Sequence, residues 1–154
     1  MLRPAVLLCC LYFLVLMPRQ SKALSKEKQD AIKAHFEEIG KQCVQDFPLA
    51  DGDIADIRGK NPAPAGAGVP CFLACMLRKI GLLDSAGMVD KDNSLTLAKT
   101  VFEDEEELKS ISEFINECSS VNSVAVGDGE KGCERAFLSY KCMIENHSKF
   151  GIDL

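Results

Sequence analysis

Six cysteines constrain the fold of this chain more than any other feature. Their spacing is C-x27-C-x3-C-x42-C-x14-C-x8-C, and they are Cys43, Cys71, Cys75, Cys118, Cys133 and Cys142. The short x3 and x8 intervals are typical of cysteines on α-helices. An even number of cysteines in a chain with a secretion signal indicates paired disulfides. The pattern therefore predicts a small secreted helical shell held by three covalent cross-links.

The N-terminal segment predicts the compartment. Arg3 precedes an almost wholly apolar stretch, residues 4–17, and a small-x-small cleavage site ends at Ala23. The stretch is shorter than the roughly 20 residues that span a bilayer, which favours a signal peptide over a membrane anchor. We expect residues 1–23 to be the signal peptide. Residues 24–154 would then be one extracellular domain that is not inserted in a membrane.

The predicted mature domain is acidic. Signal removal takes three basic residues and no acids, which leaves 15 basic and 23 acidic side chains and a net charge of −8. An acidic chain without a basic cluster argues against binding to nucleic acid or to anionic membrane surfaces. Cys9 and Cys10 lie within the signal, so the six remaining cysteines can all form pairs.

Hydrophobic periodicity predicts an all-α domain of about six helices, with no convincing strand pattern. The first helix lies between Ser25 and Pro48, and its apolar residues are four, three and four positions apart. The Pro-, Ala- and Gly-rich segment 61–70 is predicted to be a loop. The other five predicted helices are Asp51–Arg58, Cys71–Ile80, a short one around 95–102, one that follows the N-cap Asp104, and one over about Cys133–Asn146.

Helical geometry excludes two local disulfides. Cys71 and Cys75 are four residues apart on one helix, so their side chains run parallel and do not meet. Cys133 and Cys142 are nine residues apart, which is about half a turn in phase, so they face opposite sides of their helix. Of the 15 connectivities that six cysteines allow, 10 remain, and the spacing does not choose among them.

Two stretches around the cysteines carry a family resemblance. They read Cys71-Phe-Leu-Ala-Cys75-Met-Leu-Arg-Lys-Ile-Gly81 and Cys133-Glu-Arg-Ala-Phe-Leu-Ser-Tyr-Lys-Cys142. With the signal and the x3 and x8 spacings, they resemble the insect odorant-binding proteins, in particular the six-cysteine pheromone-binding and general odorant-binding group. The resemblance covers the whole predicted mature chain. One departure is the Pro-, Ala- and Gly-rich loop before Cys71, where a more polar linker would be expected.

The resemblance implies a disulfide pairing, a fold and a function. In that family the first cysteine is joined to the third, the second to the fifth and the fourth to the sixth. The pairs implied here are Cys43–Cys75, Cys71–Cys133 and Cys118–Cys142. The implied fold is six helices around an apolar cavity that carries small hydrophobic molecules through aqueous fluid.

We therefore expect a secreted carrier of odorants, pheromones or similar apolar ligands, without a cofactor or a metal. A membrane receptor or a second copy of the chain stays open as a further partner. Each candidate for the cavity lining, taken alone, is more typical of an ordinary core position. The candidates are Phe36, Ile39, Phe72, Met76, Ile80, Val101, Leu108, Ile111, Phe114, Ile115, Phe137, Tyr140, Ile144 and Phe150.

The sequence disfavours one alternative class of function, an enzyme, and leaves a second class open. An enzyme is disfavoured because His35 and His147, the histidines of the chain, are not followed by Asp, as a secreted phospholipase would require. The acidic segments that begin at Asp51 and Asp90 also fail the EF-hand pattern. A disulfide-rich helical signalling or inhibitor protein that acts through its surface stays open. Such a protein would have a filled core and would not take up an apolar dye.

Three features near the C-terminus have alternative interpretations. Phe150 and Ile152 belong either to a frayed tail or to a lid over the cavity mouth. His147 is either an exposed cap of the last helix or a pH trigger of ligand release. Asn146-His-Ser148 matches an N-glycosylation sequon, which is either modified in a secreted protein or unused, as is often the case at a helix end. For Tyr140, the hydroxyl partner is either an oxygen of the ligand or a backbone carbonyl.

Overall fold

Six α-helices make up most of the computed structural model, which describes residues 26–151. The predicted signal peptide and Ile152 lie outside the described residues. The helices are α1 (Lys26–Asp46), α2 (Asp51–Arg58), α3 (Val69–Lys79), α4 (Lys91–Val101), α5 (Glu105–Cys118) and α6 (Cys133–Asn146). Short 3-10 helices occupy Ser119–Ser123, Gly129–Lys131 and His147–Phe150. Within residues 26–151, extended pairing is limited to an isolated bridge between Leu83 and Val89. The all-α prediction is therefore confirmed.

Side-chain caps explain where two of the helices begin. The Asp104 carboxylate accepts hydrogen bonds from the backbone N–H groups of Glu106 and Glu107 at 2.9 and 3.0 Å. The Asp90 carboxylate accepts from the Asn93 N–H at 2.9 Å. This second cap starts α4 at Lys91, four residues before the apolar pattern from which the helix was predicted.

Helix α3 also begins earlier than predicted, at Val69 rather than Cys71. Pro70 lies in its first turn. A proline is tolerated there because the first N–H groups of a helix have no partner within the helix, so the missing donor is not needed. The breaker-rich loop is therefore shorter at its end than the sequence indicated.

Three disulfides join four of the helices. They connect α1 to α3, α3 to the start of α6, and α5 to α6. The bonded pairs are Cys43–Cys75, Cys71–Cys133 and Cys118–Cys142, with Cα–Cα distances of 5.8, 4.4 and 5.5 Å. These are the pairs that the resemblance implied. Because α3 and α6 each carry two bridges and pack against each other, they form a frame to which α1 and α5 are attached.

The main hydrophobic core lies where α1, α3 and α6 meet. Val69 and Ala136 are fully buried there, together with Ile39 and Cys43 of α1. None of the described side chains of α1 before Ile39 is buried. Helices α4 and α5 pack against each other, and α5 also packs against α6. None of the helices within residues 26–151 is long and apolar enough to cross a membrane.

Candidate ligand-binding site

Half of the predicted lining residues lie in or against the main core. Because these side chains fill the junction of α1, α3 and α6, they contribute first to the stability of the frame. The buried members are Ile39, Phe72 and Tyr140, and the half-buried members that pack against them are Met76, Ile80, Phe137 and Ile144.

A second apolar region is centred on α5 and lies outside the main core. Ile111 and Phe114 are buried in it. Three half-buried members, Val101, Leu108 and Ile115, keep part of their apolar surface exposed to water. Phe36 is more exposed still, at 42%. The predicted lining therefore does not form one continuous buried set in this structure.

The C-terminal tail contributes one ring to the second region. The ring of Phe150 meets the ring of Phe114 edge-on, with their centroids 5.7 Å apart. This arrangement is favourable for aromatic pairs. The ammonium of Lys149 lies 5.0 Å from the Phe150 centroid and 4.0 Å from a carboxylate oxygen of Glu117. The described part of the tail is therefore packed against α5.

The hydroxyl of Tyr140 donates a hydrogen bond to the backbone carbonyl of Asn61 at 3.0 Å. Of the two partners that the sequence left open, the structure contains the backbone carbonyl. Burial raises the pKa of Tyr140 above its usual value of 10.0, and the nearby carboxylate of Asp56 raises it further. This bond anchors the loop before α3 to the last helix.

Two polar side chains at the end of α6 are half-buried. His147 is half-buried, and its Nδ1 atom is shielded without a hydrogen-bond partner among the described residues. The side-chain amide of Asn146 donates to the Cys142 carbonyl oxygen at 2.9 Å. The sequon nitrogen is therefore engaged by its own helix. No cluster of three or more His, Cys, Asp or Glu side chains suited to a metal ion occurs within residues 26–151.

Some apolar residues of the second region were missing from the predicted lining. Ala98 is buried on α4, and Leu95 and Phe102 are half-buried on and just after it. The apolar spacing of this short helix contained the signal, since these residues share a face with Val101. A pocket between α3 and the start of α6, whose lining includes Phe47, Arg78 and Lys131, had no such signal because its lining comes from distant parts of the chain.

The fold defines a class of protein. It is a small helical domain in which three disulfides attach amphipathic helices to a frame formed by α3 and α6. A model of the PBP/GOBP family matches residues 25–146, which is most of the chain. The chain belongs to this family, the insect odorant-binding proteins. The family consists of odorant-binding carrier proteins.

Individual relatives agree with this assignment. General odorant-binding protein 19d of Drosophila melanogaster is 21% identical over 131 residues, which cover 84% of this chain and 83% of the relative. The structure of odorant-binding protein 28a from the same fly has a TM-score of 0.63 at 25% identity, and the match covers 82% of this chain and 99% of the other. The fatty acid binding protein OBP56a from the oral disk of the blowfly Phormia regina has a TM-score of 0.54 at 21% identity, covering 82% and 96%. This last likeness concerns the fold.

Proposed function

We propose that this protein is a secreted carrier that binds small hydrophobic molecules and transports them through aqueous extracellular fluid. Membership of a family of odorant-binding proteins supports the ligand class. The name of the Phormia regina protein adds fatty acids to the ligands that this fold accommodates. As part of the proposal, residues 1–23 are removed as a signal peptide.

The observation that carries the proposal is apolar surface left half-exposed beside a covalently fixed frame. Val101, Leu108 and Ile115 lie outside the main core and are only partly buried. A ligand that covers such surface gains about 25 cal/mol for each Å² of apolar area removed from water. For a molecule of the size of an odorant, this permits micromolar binding without covalent chemistry. In this proposal Phe150 covers one side of the ligand.

The first test is mass spectrometry of the natively purified protein, which would detect a co-purified apolar ligand and identify its class. The second test measures uptake of an apolar fluorescent dye by the wild type and by Leu108→Ala. We expect the truncation to weaken binding by about tenfold, because roughly three methyl or methylene groups leave the contact.

The matched control is Leu97→Ala on α4, which makes the same chemical change at a residue that is 36% exposed and outside the predicted lining. It should bind the dye as the wild type does. A protein that carries no ligand and takes up no dye would instead be a signalling or inhibitor protein acting through its surface. Equal losses of dye affinity in both variants would contradict the assignment of Leu108 to the ligand-binding site.

A further inference from the structure

An outer pocket lies between α3 and the start of α6, on residues that the sequence did not predict for the ligand. It has a volume of about 380 Å³ and shares none of the predicted lining. Residues of both bridges of α3 form part of its wall. The lining residues are Phe47, Cys71, Ala74, Cys75, Arg78, Lys131 and Cys133.

The floor of this pocket is apolar and rigid. Ala74 is almost fully buried, and Phe47 is half-buried at the edge of the main core. The Cys71–Cys133 bridge fixes the distance between the two helices that form the walls. An apolar pocket held in this way exists before its ligand arrives, so binding requires little reorganisation.

Two cations stand at the rim. Arg78 donates through Nη2 to the Glu130 carbonyl oxygen at 2.5 Å and through Nε to the Asp84 carbonyl oxygen at 3.4 Å. A guanidinium has five N–H donors, and the others have no protein acceptor within residues 26–151. Lys131 is exposed, and its ammonium forms no ion pair with the described residues. An apolar floor below two available positive charges is complementary to an amphiphilic anion.

We propose that this outer pocket binds a single-chain carboxylate amphiphile. Its hydrocarbon chain lies on the floor around Ala74, and its carboxylate lies between Arg78 and Lys131. The N-terminus of α6 does not supply the anion contact, because the Asp128 carboxylate already accepts from the Glu134 N–H at 3.0 Å. The volume is at the low end of the roughly 300–1,000 Å³ typical of small-molecule sites, which favours a chain of about ten carbons.

The test compares decanoate with 1-decanol, which has the same chain length and no charge. Calorimetric titrations use the wild-type mature protein and Lys131→Glu, first alone and then saturated with decanol. Charge reversal at the rim should weaken decanoate binding by about fivefold and leave decanol binding unchanged. The matched control is Lys99→Glu, which reverses an exposed lysine in the last turn of α4, away from this pocket.

The outcomes separate the outer pocket from the carrier site of the proposed function. Decanoate that still binds to the decanol-saturated protein, with a loss specific to Lys131→Glu, supports the outer pocket. Equal losses in the two variants, or no loss in Lys131→Glu, would overturn it. A protein that does not bind decanol contradicts the proposed carrier site, and the Lys131 comparison with decanoate alone still decides the outer pocket.

Discussion

Tyr140 links two segments that are distant in the chain. Its ring is buried in the main core, and its hydroxyl reaches the backbone of Asn61 in the loop before α3. Burial and the carboxylate of Asp56 both disfavour the phenolate and raise the pKa of Tyr140. A single hydroxyl therefore connects the loop to the frame and makes the stability of the fold sensitive to alkaline pH.

Replacing Tyr140 with Phe should lower the free energy of unfolding by about 1 kcal/mol at neutral pH, because the Asn61 carbonyl loses its donor. The pKa is higher in the folded state than the unfolded value of 10.0. The contribution of Tyr140 is therefore complete below that pH and is lost as the pH rises through the folded pKa. Urea unfolding from about pH 7 to pH 11 should show a steeper alkaline loss in the wild type than in Tyr140→Phe. Parallel curves would contradict this account.

At the scale of the helices, two glycines illustrate opposite constraints. Gly132, directly before α6, has a φ of +67°, and a Cβ there would lie 2.8 Å from the Cα of Gly87. The close approach of these two backbones positions the first residue of α6, Cys133, for its bridge. Gly40 lies inside α1, and a Cβ there would meet only the Met76 Sδ atom at 3.9 Å, an ordinary contact.

The same change, Gly→Ala, should therefore have opposite effects at these two sites. Gly40→Ala should raise the free energy of unfolding by about 0.5–1 kcal/mol, because alanine loses less conformational freedom in a helix. Gly132→Ala should lower it by more than about 1 kcal/mol, because strain at positive φ adds to the clash with Gly87. Thermal and denaturant unfolding of both variants measure the difference. Changes of the same sign in the free energy of unfolding would show that the local environments of the two glycines do not determine the effect of the substitution.

At the scale of the whole molecule, the bridges replace part of the packing that a small core cannot supply. Cys71–Cys133 closes a sequence separation of 62 residues, whereas Cys118–Cys142 closes one of 24. The first bridge joins the two helices of the frame, and the second attaches α5 with its half-buried apolar residues. Covalent attachment keeps α5 in place even though part of its apolar surface lies outside the main core.

Removing either bridge by paired Cys→Ala substitutions should lower the free energy of unfolding. The loss should be larger for Cys71–Cys133, because this bridge closes the longer loop. Chain-entropy arguments give losses of about 4.3 kcal/mol for Cys71–Cys133 and about 3.5 kcal/mol for Cys118–Cys142. Denaturant unfolding of the two double variants, each with its other two bridges intact, tests this order. A larger loss for the α5 bridge would mean that native packing, rather than loop closure, dominates.

The sequence by itself determined the class of fold and the elements. Periodicity and caps such as Asp104 act within a few residues, so they predict each helix wherever it later packs. Phase arguments excluded two local disulfides, and the family resemblance was needed to select the three pairs that the structure contains. The limits of local signals explain the remaining errors: Pro70 looked like part of a loop although it occupies the first turn of α3.

Tertiary structure alone decided which apolar residues fill the core. Phe36 and Ile39 share a helical face, yet Phe36 is 42% exposed and Ile39 only 5%. Periodicity assigns a face to a residue but does not state what that face meets. The carbonyl that accepts the hydrogen bond of the Tyr140 hydroxyl is 79 residues away in the chain, and the outer pocket combines Phe47, α3 and the turn before α6. Such sites form only when distant segments are packed together, because no local pattern encodes their distances.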